Sequence, residues 1–210
     1  MAKRNKKGFM GNSHIPYAQR LKLQQHHEII TCRDHAARIA MYCTTIALHD
    51  VAGIGYTRTA RFSLHFRELL NEFYEDPDVG MAHAKERMAE LGMEIEGEYF
   101  RYTRQPGETV REAEVRQNSL QAVQAALIVG AIAANDTFGF GPERQKRLAT
   151  RIGELSKRYN QEGQAFLLEE LEKIGFPIEN GRAMYYTDES GEVVTPAAVR
   201  KMQKGGENHS

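Results

Sequence analysis

The stretch that decides the fold is HDVAGIGYTRTARF, residues 49–62, because a closely similar stretch, NDTFGFGPERQKRL, occupies residues 135–148. When the second stretch is placed under the first, the aspartates, both glycines and both arginines coincide. The matched residues are Asp50, Gly53, Gly55, Arg58 and Arg61 in the first stretch and Asp136, Gly139, Gly141, Arg144 and Arg147 in the second. A repeat of this kind predicts two copies of one structural unit, each unable to bury its apolar face alone.

Helical periodicity surrounds each Gly-x-Gly. The spacing of apolar residues and the positions of glycine and proline predict helices over residues 17–50, 57–74, 79–91, 109–135, 143–159 and 163–174. An aromatic strand is expected at 98–103, and a hairpin within 182–195. The alanine-rich segment 122–134 is expected to pack in the core against 32–49, because small side chains let two helices approach closely.

These elements predict a mainly α fold of two tandem pseudo-symmetric repeats. Each repeat would have about three helices and a short β-hairpin, and the two would pack as one body resembling a helical bundle. The predicted units are a flexible basic arm (1–16), a first repeat (17–108), a second repeat (109–196) and a disordered tail (197–210).

Composition limits the classes of function. The chain has 210 residues, of which 41% are hydrophobic, and its 28 basic residues equal its 28 acidic ones, so there is no overall basic field of the kind that coats DNA. Cys32 and Cys43 lie too far apart on one helix to bridge and are expected to be free thiols in a reducing cytosol. The longest apolar run, 125–134, is too short to cross a bilayer, so a cytoplasmic protein without a membrane partner is expected.

The repeated Gly-x-Gly segments favour anion binding. Glycines just before a helix let the chain approach a ligand closely. The helix start that follows presents free N–H groups and a partial positive charge. An arginine pair three residues apart on the first turns suits a phosphate. The competing interpretation is a purely structural corner whose arginines pair with Asp50 or Glu68.

Aromatic residues extend this interpretation to nucleotides. Tyr102 and Tyr186 offer flat faces for bases, and Phe140 stands inside the second Gly-x-Gly. Two phosphate-binding corners and two aromatic strands related by an approximate twofold would suit a cyclic dinucleotide, which has that symmetry.

Catalytic and metal chemistry is less well supported. His49 and Asp50 invite a phosphohydrolase interpretation, but Asn135 stands at the position of His49 in the second copy. No nucleophile or phosphate-binding loop motif occurs. The chain is therefore predicted to be no enzyme and to need neither metal nor cofactor, while an enzyme that cuts a nucleotide is kept as a third alternative.

The motifs Asn12-Ser-His-Ile-Pro16, Arg33-Asp-His-Ala-Ala37 and His49-Asp50, together with the twin Gly-x-Gly-x-x-Arg segments, carry a family resemblance. The chain resembles the helical accessory proteins encoded by tailed phages and prophages of Gram-positive bacteria, over roughly residues 30–180. The first copy departs from the pattern, with Ala52-Gly-Ile-Gly in place of Phe138-Gly-Phe-Gly. The resemblance implies a protein that acts in an infected host cell by sequestering an immune signal.

The resulting expectation is a phage-encoded, non-enzymatic protein that captures a cyclic or other signalling nucleotide. The ligand-binding residues would be Gly53, Gly55, Arg58, Arg61, Gly139, Phe140, Gly141, Arg144, Arg147, Tyr102 and Tyr186. A homo-oligomer is also expected. The alternative is a phage accessory protein that binds protein or DNA through Lys3–Lys7, although nucleic acid is the less favoured partner.

Overall fold

The structure, a computed structural model, describes residues 17–93 and 102–206. Helices dominate these residues, and four strands of two residues each follow the sixth helix. In chain order the elements are α1 (Tyr17–Ala52), α2 (Tyr56–Glu75), α3 (Pro77–Glu90), α4 (Val110–Phe138), α5 (Pro142–Glu162), α6 (Gln164–Lys173), β1 (Ile178–Glu179), β2 (Arg182–Ala183), β3 (Tyr186–Thr187), β4 (Val193–Val194) and α7 (Pro196–Gly206). The prediction of a mainly helical fold is confirmed, and each of the six predicted helices ends within three residues of its expected limits.

Helices α1 and α4 pack along each other and form the centre of the molecule. Arg111, in the first turn of α4, pairs with Glu28, in the N-terminal half of α1. Further along, a Cβ built on Gly130 of α4 would lie 3.6 Å from Thr44 of α1. Since early residues meet early residues and later residues meet later ones, the two helices run parallel and finish at the same end of the molecule.

Small side chains make this close packing possible. Cys43 and Ala47 of α1 and Ala126 and Ala133 of α4 are all fully buried. Close-packed interiors of this kind contain few voids, so each contact between the two helices adds dispersion energy. The prediction that segment 122–134 packs against segment 32–49 is confirmed.

The outer helices pack in a crossed pattern. Helix α2, which follows α1, packs against α4, and α5, which follows α4, packs against α1. In the same way α3 contacts α4, and α6 contacts α1. Each central helix is therefore covered mainly by helices from the other half of the sequence.

Two predictions about the last residues are modified by the structure. The hairpin is present as β3 paired with β4, but Arg182–Ala183 pairs instead with Ile178–Glu179. The tail predicted to be disordered from residue 197 is helical in α7. Its start signal was overlooked: Pro196 is pre-organised for the first helical position, and the Thr195 Oγ1 accepts a hydrogen bond from the Ala198 N–H at 3.3 Å.

Two further predictions lie wholly or partly outside the described residues. These are the basic arm, residues 1–16, and most of the strand predicted at 98–103. In the described part of that strand, Tyr102 and Thr103 are not in a strand. Among the helices the structure describes, none is both long and apolar enough to cross a membrane.

Candidate functional site

The two Gly-x-Gly segments form corners of the same local geometry. We call residues 53–55 the first corner and residues 139–141 the second corner. The leading glycines have left-handed backbones, with φ of +63° at Gly53 and +65° at Gly139. The Gly53 N–H donates a hydrogen bond to the His49 carbonyl, and the Gly139 N–H donates one to the Asn135 carbonyl, both at 2.7 Å. Each corner thus ends one helix with a glycine where a side chain would be strained.

The middle residue of each corner is held in the core by an equivalent polar bond. Ile54 and Phe140 are both only 2% exposed. The carbonyl of Ile54 lies 3.1 Å from the His49 Nδ1, and the carbonyl of Phe140 accepts from the Asn135 Nδ2 at 3.3 Å. Histidine and asparagine therefore perform the same structural task, and His49 is engaged with the backbone.

The second glycine of each corner has a different character. Gly55 and Gly141 precede α2 and α5 with φ of −82° and −73°, which any residue adopts. A Cβ on either glycine would meet nothing within 4 Å. No side chain of the described residues caps either helix, so within them the first N–H groups of α2 and α5 have no side-chain acceptor.

Both corners lie at one end of the molecule, which we call the corner end. The parallel course of α1 and α4 places them there, and a direct contact joins them: the Arg58 guanidinium, from the start of α2, lies 5.4 Å from the ring centre of Phe138, at the end of α4. The Phe138 and Phe140 rings are 5.7 Å apart, and Arg144 lies 5.6 Å from the Phe140 ring. Two cations thus flank a pair of aromatic rings.

The four corner arginines are exposed. Arg58, Arg61, Arg144 and Arg147 all lie on the surface of the first two turns of α2 and α5. Within residues 17–93 and 102–206, none of the four forms an ion pair. Their expected structural partner Glu68 instead contacts His65 at 3.8 Å.

The repeated aspartates bind cations from elsewhere. Asp50 accepts hydrogen bonds from Arg151 of α5 at 2.8 Å. Asp136 pairs with Arg87 of α3 and lies 3.3 Å from the His65 Nε2 of α2. Hydrogen bonds to Glu154 first, and then to Asp50, raise the pKa of Arg151 above its usual value. The aspartates therefore join helices and leave the corner arginines unneutralised.

The structure does not bring Tyr102 to the corners. Its N–H donates to Gln117 at 2.6 Å and its hydroxyl donates to Glu108 at 2.9 Å. From Gln117 to the second corner, α4 runs for about 32 Å at 1.5 Å per residue. Tyr102 therefore cannot stack on a ligand bound by the corner arginines.

Tyr186 lies nearer. Its backbone N–H donates a hydrogen bond of 3.2 Å to the hydroxyl of Tyr56, the first residue of α2. Its own hydroxyl donates to Glu179, and that bond raises the pKa of Tyr186. The ring is half-buried beside the first corner, and its hydroxyl is already satisfied.

A groove that these residues do not line lies elsewhere, between α2, α3 and α4. It has a volume of about 550 Å³, and its lining includes Phe73, Ala84, Val129 and Ile132 with several acidic side chains. None of the eleven predicted ligand-binding residues lines it. A shallower depression of about 350 Å³ at the second corner is lined by Gly141, Pro142, Glu143 and Arg144.

The acidic residues that line the larger groove lie close together in the sequence. The segment from Glu72 to Glu86 carries four carboxylates that come to line it. They belong to two helices and one turn, so only the sharp turn between α2 and α3 collects them on one side.

Other chemistry is limited in the part of the chain that the structure describes. No group of three or more His, Cys, Asp or Glu side chains lies close enough to hold a metal ion there. Cys32 and Cys43 are free thiols, as predicted. Burial raises the pKa of Cys43 to about 11, so its thiol is protonated at neutral pH. Comparisons with protein-family models, with curated proteins and with solved structures each return no match.

Proposed function

We propose that the corner end binds an anionic nucleotide and that the protein captures this ligand without changing it. One observation carries the proposal: two uncapped helix starts and four exposed arginines occupy the same end of the molecule. An isolated corner would be a weak anion site. Two corners that meet can hold two phosphates of one ligand.

The electrostatics of the helix starts support an anion. The N-terminus of a helix carries a partial positive charge, which disfavours a cation nearby by about 0.3–1 kcal/mol. Arg58 and Arg144 stand at the third residue of α2 and α5, where this repulsion acts, and neither forms an ion pair with a residue that the structure describes. A bound phosphate would relieve the repulsion and accept hydrogen bonds from the free N–H groups of the first turn.

The stacked position of the arginines is compatible with this role. A guanidinium over an aromatic face keeps its N–H donors in the plane of the group, where they can bind a phosphate. Contact with Phe138 and Phe140 also restricts Arg58 and Arg144 before the ligand arrives, which lowers the ordering cost of binding.

The second glycine of each corner supports close approach by a ligand. Backbone angles do not require glycine at Gly55 or Gly141, and neither do neighbouring atoms. A glycine there keeps the helix start open. Its presence in both copies is explained if a phosphate lies against that backbone.

We further propose that the two repeats are related by a pseudo-twofold axis, and reciprocal contacts support this. Asp50 of the first copy binds Arg151 of the second, while Asp136 of the second copy contacts His65 of the first. Positions 65 and 151 are separated by the same interval as the two aspartates. Each contact therefore has its counterpart with the copies exchanged.

A second pair of contacts follows the same rule. The position of a Cβ on Gly92 lies 3.8 Å from Pro142, and that of a Cβ on Gly175 lies 3.9 Å from Tyr56. Gly92 and Gly175 each follow the third helix of their copy, and Tyr56 and Pro142 each begin the second. An axis through the molecule would exchange the two contacts.

The close contact of Thr44 with Gly130 indicates where the axis would run. These residues occupy matched positions of the two copies, and a residue that meets its own counterpart lies on a twofold axis. An axis between them, parallel to α1 and α4, passes through the corner end. A ligand centred there would contact two matching corners.

These relations favour a ligand with twofold symmetry, and a cyclic dinucleotide is the class we propose. The resemblance to phage accessory proteins suggests the setting, in which holding such a signal would blunt a host response. The engagement of His49 with Ile54 and of Asp50 with Arg151 favours capture over cleavage.

Thermal unfolding with and without cyclic di- and trinucleotides tests the proposal. A ligand at one hundred times its Kd should stabilise the chain by about 2.7 kcal/mol. Arg58→Gln combined with Arg144→Gln should remove most of this stabilisation. Lys157→Gln with Arg182→Gln, which removes the same charge from exposed positions outside the corners, should retain it.

The same experiment separates the rival functions. If no nucleotide shifts the transition, capture is wrong. Recovery of new products by chromatography would favour an enzyme. Binding of DNA or protein that needs Lys3–Lys7 but tolerates Arg144→Ala would favour the accessory role.

A further inference from the structure

The groove between α2, α3 and α4 combines an apolar floor with an acidic rim. Val129 and Ile132 of α4 form its floor and are 3% and 6% exposed. Val79, also in the lining, is 49% exposed, which makes it one of the few large apolar side chains on the surface of the described residues. Val79 therefore adds exposed apolar surface at the edge of the recess.

The rim carries carboxylates without cationic partners. Glu72, Glu75 and Glu86 form no ion pair or hydrogen bond with any residue of the described chain. Asp76 accepts the Val79 N–H at 3.2 Å as the N-cap of α3 and has no cationic side chain as a partner among the described residues. Asp136, at one end of the groove, is paired with Arg87. Four negative charges therefore surround an apolar recess.

A matching segment occurs in the sequence. Residues 1–12 read MAKRNKKGFMGN, with four basic side chains followed, after Gly8, by Phe9 and Met10. Four cations would meet four unpaired carboxylates, and the two apolar side chains would meet the exposed Val79 and the floor. We propose that this groove binds the N-terminal basic segment, residues 3–10, of a second copy of the chain.

Distance assigns the segment to another copy. The floor residues flank Gly130, which lies opposite Thr44, and from Tyr17 to Thr44 α1 runs for about 40 Å. The eight residues from Phe9 to Tyr17 span at most about 28 Å when fully extended. Phe9 therefore cannot reach the floor in its own chain. Mutual exchange of the segments between two copies gives a closed dimer.

Peptide binding is the first test. A labelled peptide of residues 1–12 is titrated into the full chain carrying Lys3→Gln, Arg4→Gln, Lys6→Gln and Lys7→Gln, so that the chain's own segment does not compete. Fluorescence anisotropy should show saturable binding that weakens with added salt. Adding Glu72→Gln, Glu75→Gln and Glu86→Gln to the chain should weaken it at least tenfold, as should Phe9→Ser in the peptide.

A control with the same loss of charge is Glu169→Gln, Glu172→Gln and Glu189→Gln, all exposed and outside the groove. It should leave peptide affinity within twofold. If this control weakens peptide binding as much as the groove substitutions do, the weakening comes from the change in net charge, and the peptide does not bind in the groove. If the peptide does not bind but spermidine stabilises the chain, the groove binds a small cation, and the proposal that residues 3–10 occupy it is wrong.

Oligomeric state is the second test. Sedimentation of the unmodified chain should show a dimer. It should become monomeric in the arm variant, which carries only the four substitutions at residues 3–7, and in the groove variant, which carries only the three substitutions at Glu72, Glu75 and Glu86. A mixture of those two variants should recover a heterodimer, because one intact segment still meets one intact groove. A chain that stays monomeric at all concentrations while the peptide binds would overturn occupancy by a second copy.

Discussion

Gly80 and Gly153 both stand inside helices, yet their surroundings give them opposite roles. A Cβ on Gly80 would lie 2.7 Å from the Cα of Phe73, a distance that backbone atoms do not tolerate. Gly153 has nothing within 4 Å of the same position. Gly80 is therefore required for the close approach of α2 and α3, while Gly153 serves no packing purpose in the described structure.

Alanine at these positions should change stability in opposite directions. Gly80→Ala should lower the free energy of unfolding by about 1–3 kcal/mol because α3 must move away from α2. Gly153→Ala should raise it by about 0.5–1 kcal/mol because alanine is the better helix former. Urea unfolding followed by circular dichroism measures both, and a neutral Gly80→Ala would show that the two helices are further apart than described.

The partners of the repeated aspartates, His65 and Arg151, are not predictable from the sequence. The repeated aspartates were identified, and an arginine was among the partners considered for them. Their actual partners occupy matched positions of the repeat but differ chemically, so comparison of the two copies did not reveal them. Partner choice depends on how α2 and α5 pack, and no local pattern specifies that.

At the scale of the elements, the two glycines of each corner have different roles. The backbone requires glycine at the first, whereas glycine at the second leaves the helix start accessible to a ligand. Gly53 and Gly139 need positive φ, whereas Gly55 and Gly141 do not. The repeat alone made all four look equivalent. Backbone angles in the folded protein are what distinguish them.

Aspartate at the second glycine of each corner should separate stability from binding. Gly55→Asp and Gly141→Asp place a good N-cap at the start of α2 and α5, which should leave stability unchanged or raise it by up to about 1 kcal/mol. The added carboxylates should abolish stabilisation by the cyclic dinucleotide that binds the unmodified chain. Thermal unfolding with and without that ligand measures both effects.

Gly139→Ala provides the converse case. It adds no charge but strains the left-handed backbone, so it should lower stability by about 1–2 kcal/mol. Ligand binding should persist in this variant wherever it remains folded. If the aspartate variants bind the nucleotide as well as the unmodified chain does, the helix starts are not the anion site.

Helix limits were predictable because glycine and proline punctuate this chain at nearly every turn. Gly92 follows the end of α3, and Pro77 is the first residue of α3. Helix α7 was missed because the glycine-rich segment beyond Lys204 outweighed the start signal at Thr195 and Pro196. The helix-start residues and the glycine-rich segment predict opposite structures for the same residues, and the sequence alone does not show which prediction holds.

At the scale of the whole molecule, the direction of the central helices determines what the corners can do. An antiparallel pair would have placed the two corners at opposite ends and separated the arginines. Amphipathic pattern does not specify direction, since either arrangement buries the same alanine-rich faces. This is also why Tyr102 was assigned to the site, although it lies near the start of α4.

Because each central helix is covered by helices from the other half, neither half should fold alone. Separate polypeptides 1–101 and 102–210 should each lack a cooperative unfolding transition, since residues such as Cys43 and Ala133 would be exposed. Expressed together, they should copurify in a 1:1 complex with the helical content of the intact chain. Its Tm should rise with concentration, because association now contributes to stability.

A break placed inside α4, after Ile128, is the control. It divides the helix that both halves of the core pack against, so fragments 1–128 and 129–210 should not assemble into a helical complex. If fragment 1–101 or fragment 102–210 instead folds alone with a sharp transition, the crossed packing is not what stabilises the protein. The corners would then belong to two independent domains, and a ligand held jointly between them would lose its structural basis.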